Sequence, residues 1–501
     1  MLSAPDTGGV PDHAVTCRRV MHWAERHPDR PCVIEGGDSA TFAHLLEEVN
    51  RNRRVLARRG VGPGDLVAIA RRRRVDAIAG MLAAWSTGAA YLQLSLTLPA
   101  ARVDQLLDLA RPAAVLSDPP RSGEPPQLRV RDTPARRLAP SAAYVMFTSG
   151  STGRPKGVVL GHDGLAALVR WHGSTTALAP GECASQVADL AFDASVWEIW
   201  GALAHGACLA VPSLDELLQP AELQGFLLRH RVRAAFVPTG LVPGLLDLEW
   251  PRKVPLRVLF TGGDRLTGWP TERHPFRLVN AYGPTECTVV STCLALEPRD
   301  GEAEPPPIGR PLPHVRTRIA RADGTAARPG ERGELWLSGP ALALGYLDDP
   351  PDGGPFVTEH GADRAEEAAT DGTRRWYRTG DLVVEDADGL LHYLSRVDDQ
   401  LQIQGRRTEP AEIVRSVLTL PEAGEAVVFT RETPSGDRRL AVAVTPATVS
   451  PAELQRHLCR RLPTYMIPSD IYPLDALPLT ANGKFDLAAL RRRADRPREN
   501  P

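Results

Sequence analysis

Residues 144–162 read YVMFTSGSTGRPKGVVLGH: an apolar strand passes directly into small hydroxyl residues and glycines, then a lysine, then a second apolar run. Such a loop leaves backbone N–H groups open to a ligand, and Lys156, six residues past Gly150, adds a mobile positive charge. The combination suits phosphate. It is not a Walker A loop, which needs G-x-x-x-x-G-K-[ST]; here Pro155 precedes the lysine and Gly157 follows it. Taken alone, the loop fits phosphate binding or an ordinary Ser/Gly turn.

The surrounding chain alternates strands and helices, which argues for α/β layers around a largely parallel sheet. Thr41 is placed to cap a helix with Phe42, Leu45, Leu46 and Val49 on its apolar face, and LVAIA (66–70) reads as a strand after Gly60. LAVP (209–212), AAFVP (234–238) and LRVLFTGG (256–263) read as further strands ending in polar or glycine turns. Ligands in such sheets gather at the carboxyl ends of the strands. The uncharged stretch 77–101 is long enough to suggest a membrane span, but STG interrupts it and Pro99 ends it. It reads instead as a buried helix, a turn at Gly88 and a buried strand. The segments 121–134 and 348–372 read as exposed loops. From about residue 300, short strands such as GELWLSG (333–339) indicate a smaller β-rich subdomain, and a last unit with strands AVVFT and LAVAV begins near residue 394.

At 501 residues the chain exceeds what one core usually supports, so at least two domains are expected. A net charge of -2 leaves no global basic field, which speaks against nucleic acid as a partner, and the run Arg71–Arg74 reads as a solvated face. Seven cysteines without a C-x-x-C pair fit neither a disulfide framework nor a zinc site and read as reduced thiols. The N-terminal residues show no signal-peptide pattern, so a cytoplasmic, non-membrane protein is expected.

After the Ser/Gly loop come, in order, FDAS (192–195), NAYGPTE (280–286), GELWLSGPALALGYL (333–347), YRTGDL (377–382), SRVDDQLQIQGRRTEP (395–410), LPTYMIP (462–468) and LTANGKFD (479–486). This ordered set resembles the acyl-adenylate-forming superfamily, most closely the free-standing amino-acid adenylation domains of nonribosomal peptide synthetase type, from about residue 41 to Asp486. The resemblance implies a large N-terminal domain of two α/β subdomains plus a small β-barrel-like subdomain, and then a small mobile α+β C-terminal domain. The expected boundaries are 1–394 for the core, 395–399 for the hinge around Asp398, and 400–501 for the lid.

The resemblance also implies ATP and magnesium. Joining a carboxylate to the α-phosphate of ATP brings two anions together, and cations and backbone dipoles must offset their repulsion. Thr148, Ser149, Gly150, Ser151 and Thr152 would wrap the β- and γ-phosphates, with Lys156 on the departing pyrophosphate. Glu286, with Thr152 nearby, would hold the magnesium. Asp381 and Arg396 map to the ribose, Tyr282 to the adenine face and Asn280 to its exocyclic amine, with Gly283 and Thr285 in the same motif. Lys484 would be the catalytic lysine, bridging the substrate carboxylate and the α-phosphate as charge shifts.

Asp193 matches the acidic residue that pairs with a substrate α-amino group in amino-acid-activating members. The remaining pocket positions map to Ala194, Trp197, Thr239, Phe260, Gly262, Ala281, Val289 and Val290, with Lys484 at the carboxylate. No second charge is among them, so the expected substrate is neutral and mainly apolar or aromatic, with Thr239 facing a polar edge. The chain departs from the pattern at QIQG (402–405), where the family has basic side chains, and at Ser395, which stands for a glycine. Those changes put thioester formation or the carrier contact in question more than adenylation.

The residues after Asp486 hold no phosphopantetheine attachment motif, so the expected partner is a separate phosphopantetheinylated carrier protein, with a small MbtH-like activator protein as a further expected class of partner. Two alternatives stay open at this point: an acid–CoA ligase acting on an aryl or fatty acid, and a catalytically degenerate scaffold protein.

Overall fold

The computed structural model describes residues 14–119, 126–129, 134–150, 153–302, 304–348, 354–360, 373–398, 400–403, 406–432, 438–479 and 485–494. Two compact units emerge. In their described parts, the larger takes Met1–Leu96, Leu109–Met146 and Gly157–Val397, and the smaller takes Thr97–Asp108, Phe147–Lys156 and Asp398–Pro501. The smaller unit thus gathers the helix residues after Leu96 and the Ser/Gly loop along with the C-terminal segment.

Two largely parallel sheets form the larger unit. A nine-stranded sheet runs in the order Arg310–Pro311, Thr292–Leu296, Arg277–Tyr282, Val258–Gly262, Val232–Pro238, Cys183–Ser185, Cys208–Val211, Pro31–Glu35, Asp38–Thr41. Its middle strands, from Arg277–Tyr282 to Pro31–Glu35, are parallel. In the seven-stranded sheet, Leu66–Ala70 lies between Ala90–Gln93 and Ala114–Ser117, all parallel. Three helices fill the apolar layer. Arg74–Ser86, His162–Thr176 and Asp193–Leu203 are apolar around most of their circumference, and such helices are stable only when covered on every side. They share one core with Ile69 and Leu116 of the seven-stranded sheet and Val33 and Leu209 of the nine-stranded one.

The β-rich subdomain is a five-stranded antiparallel sheet built from Arg316–Ala320, Gly333–Ser338, Thr373–Glu385, Phe356–His360 and Leu391–Arg396. The C-terminal part of the smaller unit is α+β: a three-stranded sheet, Ala426–Glu432, Arg438–Val444 and Asp470–Pro473, with helices Pro410–Val417 and Pro451–Cys459 closing a core around Ile413, Val442 and Leu454.

Several expectations hold and several need correction. Thr41 caps the helix Phe42–Arg58 by accepting a hydrogen bond from His44 N at 3.2 Å. The stretch after residue 77 folds as the helix Arg74–Ser86, a left-handed turn at Gly88 and the strand Ala90–Gln93, and among the described residues no helix is long and apolar enough to cross a membrane. The segments expected to be loops contain strands. Gln127–Arg129 pairs with Ala114–Ser117, and Phe356–His360 pairs with Thr373–Glu385, because an antiparallel edge strand needs only one apolar face and so tolerates the charges that suggested a loop. The arginine run is not uniformly solvated either. Arg71 is buried, with ion pairs to Asp118 at 3.0 Å and Asp76 at 3.4 Å. The described cysteines are unpaired in disulfides.

Within the smaller unit, Arg102 and Glu412 form a buried ion pair at 2.5 Å. Burial raises the Glu412 carboxyl above its ordinary value despite the arginine. Removing Arg102 alone leaves a buried acid unpaired, so Arg102→Ala is expected to cost about 3–5 kcal/mol in urea unfolding. The double replacement Arg102→Met with Glu412→Leu is expected to lose much less.

Candidate functional site

The carboxyl ends of the central parallel strands in the nine-stranded sheet bring one group of candidates together. Val258–Gly262 and Arg277–Tyr282 are in register, with Phe260 beside Val279 and Gly262 beside Ala281. A Cβ on Gly262 would lie 2.4 Å from Ala281 O, so glycine is needed for the strands to approach there. After Tyr282 the chain turns at Gly283, where a Cβ would lie 2.4 Å from Val289 O, and makes the single 3-10 turn Thr285–Cys287. Thr288 and Val289 then adopt left-handed backbone at φ 49° and 70°, which sends the chain back so that Ser291 N donates to Tyr282 O at 2.7 Å.

Asp193 opens the buried helix Asp193–Leu203. Its Oδ2 accepts from Thr285 Oγ1 at 2.5 Å. Burial raises this carboxyl above the ordinary aspartate range, the Thr285 hydrogen bond opposes the shift, and the neighbouring Glu286 adds to it. One turn further along the helix, Trp197 sits in a single apolar cluster with Phe260, Ala281, Val289 and Val290. Its ring meets Phe260 edge-on with centroids 4.8 Å apart. Ala194 lies half-buried in the first turn. The Thr239 hydroxyl donates to Asp264 O at 3.2 Å and accepts from Thr261 Oγ1 at 3.3 Å, so its proton is used within the protein and one lone pair remains as an acceptor. The strand end and the helix start thus place one carboxylate beside walls of aromatic and aliphatic side chains.

A second group lies around Asp381. Its strand pairs with Leu391–Arg396 so that Asp381 faces Arg396, and Arg396 Nη1 donates to Asp381 Oδ1 at 2.7 Å. Tyr282 Oη donates to Asp381 Oδ2 at 2.5 Å, and burial with the adjacent carboxylate pushes the phenol well above its ordinary value. Asn280 donates one N–H of its amide to Pro307 O at 2.8 Å, which fixes the orientation of the amide. Glu286 is completely buried; Tyr346 Oη donates to its Oε1 at 2.9 Å, and its backbone oxygen accepts from Ala343 N at 2.8 Å.

The Ser/Gly loop belongs to the smaller unit. Among the described residues Thr148 Oγ1 is buried without a hydrogen-bond partner, Ser149 Oγ donates to Arg407 O at 2.8 Å, and Gly153 N closes a turn onto Gly150 O at 2.7 Å. A Cβ on Gly150 would lie 2.0 Å from Arg154 O, so only glycine fits this turn. Lys156 begins the strand Lys156–Gly161, and Asp398 begins the C-terminal stretch of the unit. Ser151, Thr152 and Lys484 lie outside the described residues, as do Gln404 and Gly405 of the QIQG departure.

These features can be tested against ATP and a divalent ion. An orphaned buried hydroxyl at Thr148, above a turn that only glycine allows, fits a phosphate oxygen. Among the described residues no group of three or more His, Cys, Asp or Glu is placed to ligate a metal, and Glu286 is a single buried carboxylate. One carboxylate suits a magnesium ion that completes its shell with phosphate oxygens and water.

Besides the Tyr282–Asp381 bond, sequence reasoning missed three contacts. The Thr285–Asp193 bond joins two motifs that are distant in the chain. Tyr346 stands in the quoted GYL, but nothing in that word pairs it with Glu286. His172, whose Nδ1 accepts from Trp197 Nε1, carries no signal at all, being the second of two histidines in an apolar helix.

Comparison with known proteins places the chain in a family. The model for the "AMP-binding enzyme" family matches residues 20–347, and that for the "AMP-binding enzyme C-terminal domain" matches 413–484. The chain is 34% identical over 489 residues to bacitracin synthase 1 of Bacillus licheniformis, covering 93% of this chain but only 9% of that much longer protein. It is 35% identical to novobiocin biosynthesis protein H of Streptomyces niveus, covering 96% of this chain and 83% of that one. The solved structure of holo-PA1221, described as a nonribosomal peptide synthetase protein containing adenylation and PCP domains, matches with a TM-score of 0.78 at 29% identity, covering 97% and 86% of the two chains. The chain belongs to the AMP-binding, acyl-adenylate-forming superfamily and is an adenylation domain of nonribosomal peptide synthetase type.

The Asp193 environment generates a pH prediction. Because its folded pKa is raised, this carboxyl favours folding most below the ordinary aspartate range, and that contribution is lost as pH rises through the folded value. Asp193→Asn is therefore expected to raise the thermal midpoint at neutral pH, and the gain should shrink as pH is lowered. The acidic limb of kcat/KM for the acid substrate should lie above the ordinary aspartate range, and Thr285→Val should move it to higher pH.

Proposed function

We propose that the protein activates a neutral, mainly apolar or aromatic α-amino acid as its aminoacyl-AMP and passes the acyl group to the phosphopantetheine thiol of a carrier protein. The observation that carries the reading is the half-buried Asp193 carboxylate, raised above its ordinary range by burial, held by Thr285 at the head of a buried helix and followed one turn on by Trp197 of the cluster with Phe260, Ala281, Val289 and Val290. An isolated charge is costly there, and a substrate ammonium offsets that cost while the apolar walls take the side chain. A second charge on the substrate would find no partner among these walls.

In the first half-reaction a substrate carboxylate oxygen bonds to the α-phosphorus of ATP, the bond from that phosphorus to the bridging oxygen breaks, and pyrophosphate leaves. In this reading Thr148, Ser149, Gly150, Ser151, Thr152 and Lys156 hold the β- and γ-phosphates. Asp381 and Arg396 hold the ribose, and Asn280 and Tyr282 the base. Glu286 and Thr152 would hold magnesium, which when bound neutralises phosphate charge. Lys484 supplies positive charge between the carboxylate and the α-phosphate as the bond forms. The second half-reaction is proposed to follow movement about Asp398; the compact units divide between Val397 and Asp398, which supports a hinge at that position. Carrier loading draws support from relatives whose descriptions pair adenylation with PCP domains, such as the PA1221 protein. A cytoplasmic setting supplies the ATP that the reaction consumes.

The decisive experiment is hydroxylamine-trapped pyrophosphate release with ATP, magnesium and each amino acid in turn. A clear preference for one apolar or aromatic amino acid is expected, and Lys484→Ala should lower the rate about 10²–10³-fold. Turnover only on an aryl or fatty acid would replace this reading with the acid–CoA ligase. Equal biological output from wild type and Lys484→Ala would replace it with the scaffold.

A further inference from the structure

Trp197 is the largest side chain among the candidate pocket walls, and it is 2% exposed. A buried indole N–H needs an acceptor, and the one it finds is not backbone. Trp197 Nε1 donates to Nδ1 of His172 at 2.7 Å, from a helix, His162–Thr176, that supplies none of the mapped pocket positions. His172 is itself 4% exposed. Its ring stands edge-on to Trp197, at 83° with centroids 5.9 Å apart, and its other broad neighbour is Phe260, with centroids 6.1 Å apart. Behind the ring lies Gly201, where a Cβ would sit 2.8 Å from the imidazole carbons; no other residue could stand there without displacing the histidine toward the indole. The imidazole is therefore clamped between the helix that carries Asp193 and the two aromatic rings that wall the pocket.

From this arrangement we infer that His172 is a positioning residue for substrate selection: it fixes the rotamer of the Trp197 indole and so sets the depth of the side-chain pocket. The inference rests on the reading of Trp197 as a pocket wall. The bond requires Nδ1 to be the unprotonated nitrogen. Burial, with His205 nearby, lowers the His172 pKa to about 3, so the ring is neutral and keeps this acceptor at any ordinary working pH. Nε2 then carries the proton, and among the described residues it is buried without a hydrogen-bond partner. Among those residues the Trp197 bond and packing orient the ring, which makes the two aromatic side chains one rigid element. Groups facing this element from the surrounding helices include His205, whose Nδ1 contacts Gly201 O at 2.8 Å, and none of the facing groups named here is an acid that would restore a charge to the imidazole.

Two replacements separate positioning from bulk. His172→Leu removes the acceptor and leaves an apolar side chain, whereas His172→Asn can offer its amide oxygen near the place of Nδ1. For the amino acid that wild type prefers, His172→Leu is expected to raise KM about tenfold, with kcat changed less and the KM for ATP within about twofold. Its selectivity between larger and smaller apolar amino acids should flatten by a similar factor. His172→Asn should recover most of the selectivity. The hydrogen bond is read separately from activity by the indole N–H resonance of Trp197, assigned with Trp197→Phe, which should shift in His172→Leu and return toward wild type in His172→Asn. If the protein proves to activate another kind of acid, the resonance and the selectivity series can be measured with that acid, so a failure of the amino-acid reading does not decide this one. A shifted resonance with kcat/KM lowered equally for every acid, and no rescue by Asn, would overturn the inference in favour of a purely structural histidine. An unshifted resonance in His172→Leu would overturn it as well.

Discussion

A half-buried carboxylate at the head of an apolar helix sets the terms for the rest of the larger unit. Burial pushes the Asp193 carboxyl above its ordinary range, and Thr285 Oγ1 opposes that shift by donating a hydrogen bond to it. That donor comes from the turn after Tyr282. This turn is possible only because Gly283 lets the backbone pass 2.4 Å from where its Cβ would sit. The same turn carries Glu286, whose charge makes the Asp193 site less hospitable to an unpaired anion and correspondingly more receptive to a cation. One short loop therefore sets two carboxylates, Asp193 and Glu286, near enough that the charge of the second raises the pKa of the first.

The ribose and base candidates show a related economy. Asp381 accepts from both Tyr282 and Arg396, so its two oxygens are oriented before any ligand arrives. Tyr282 belongs to the strand Arg277–Tyr282 of the nine-stranded sheet and Asp381 to the antiparallel subdomain, so this bond fixes the subdomain's register against the sheet end. Preorganised donors and acceptors of this kind cost no rearrangement at the moment of reaction.

Much of this is legible in the sequence, and the parts that are not have physical reasons. Buried parallel strands such as Leu66–Ala70 and Val258–Gly262 announce themselves as continuous apolar runs, and Thr41 marks a helix start because its hydroxyl has one local job. Gln127–Arg129 and Phe356–His360 look like loop in the sequence because strands that pair at a sheet edge can be polar and short. Arg71 looks solvent-facing because a run of like charges usually is; its burial depends on Asp76 and Asp118, and only the fold brings Asp118 to it. The candidate residues around Asp193 and Asp381 can be named from motifs, yet the bonds joining them cannot, since Thr285–Asp193 and Tyr282–Asp381 each span about a hundred residues. His172 is the extreme case. Its neutral, buried state makes it indistinguishable in sequence from any core histidine.

Val289 shows how the protein accommodates a demand that local preference opposes. A β-branched residue at φ 70° lies in the left-handed region, where such a conformation costs of order 1–3 kcal/mol. The surrounding hydrogen bonds hold it there: Thr288 Oγ1 to Ala341 O at 2.6 Å, Val290 N to Thr288 O at 2.9 Å and Ser291 N to Tyr282 O at 2.7 Å. A glycine at 289 would relieve the strain but would remove an apolar side chain from the cluster with Trp197 and Phe260. The valine therefore exchanges backbone strain for a place in that apolar cluster. Such strain persists only where the surrounding structure over-determines the backbone, as these three hydrogen bonds do here, and positions of this kind cluster at ligand sites.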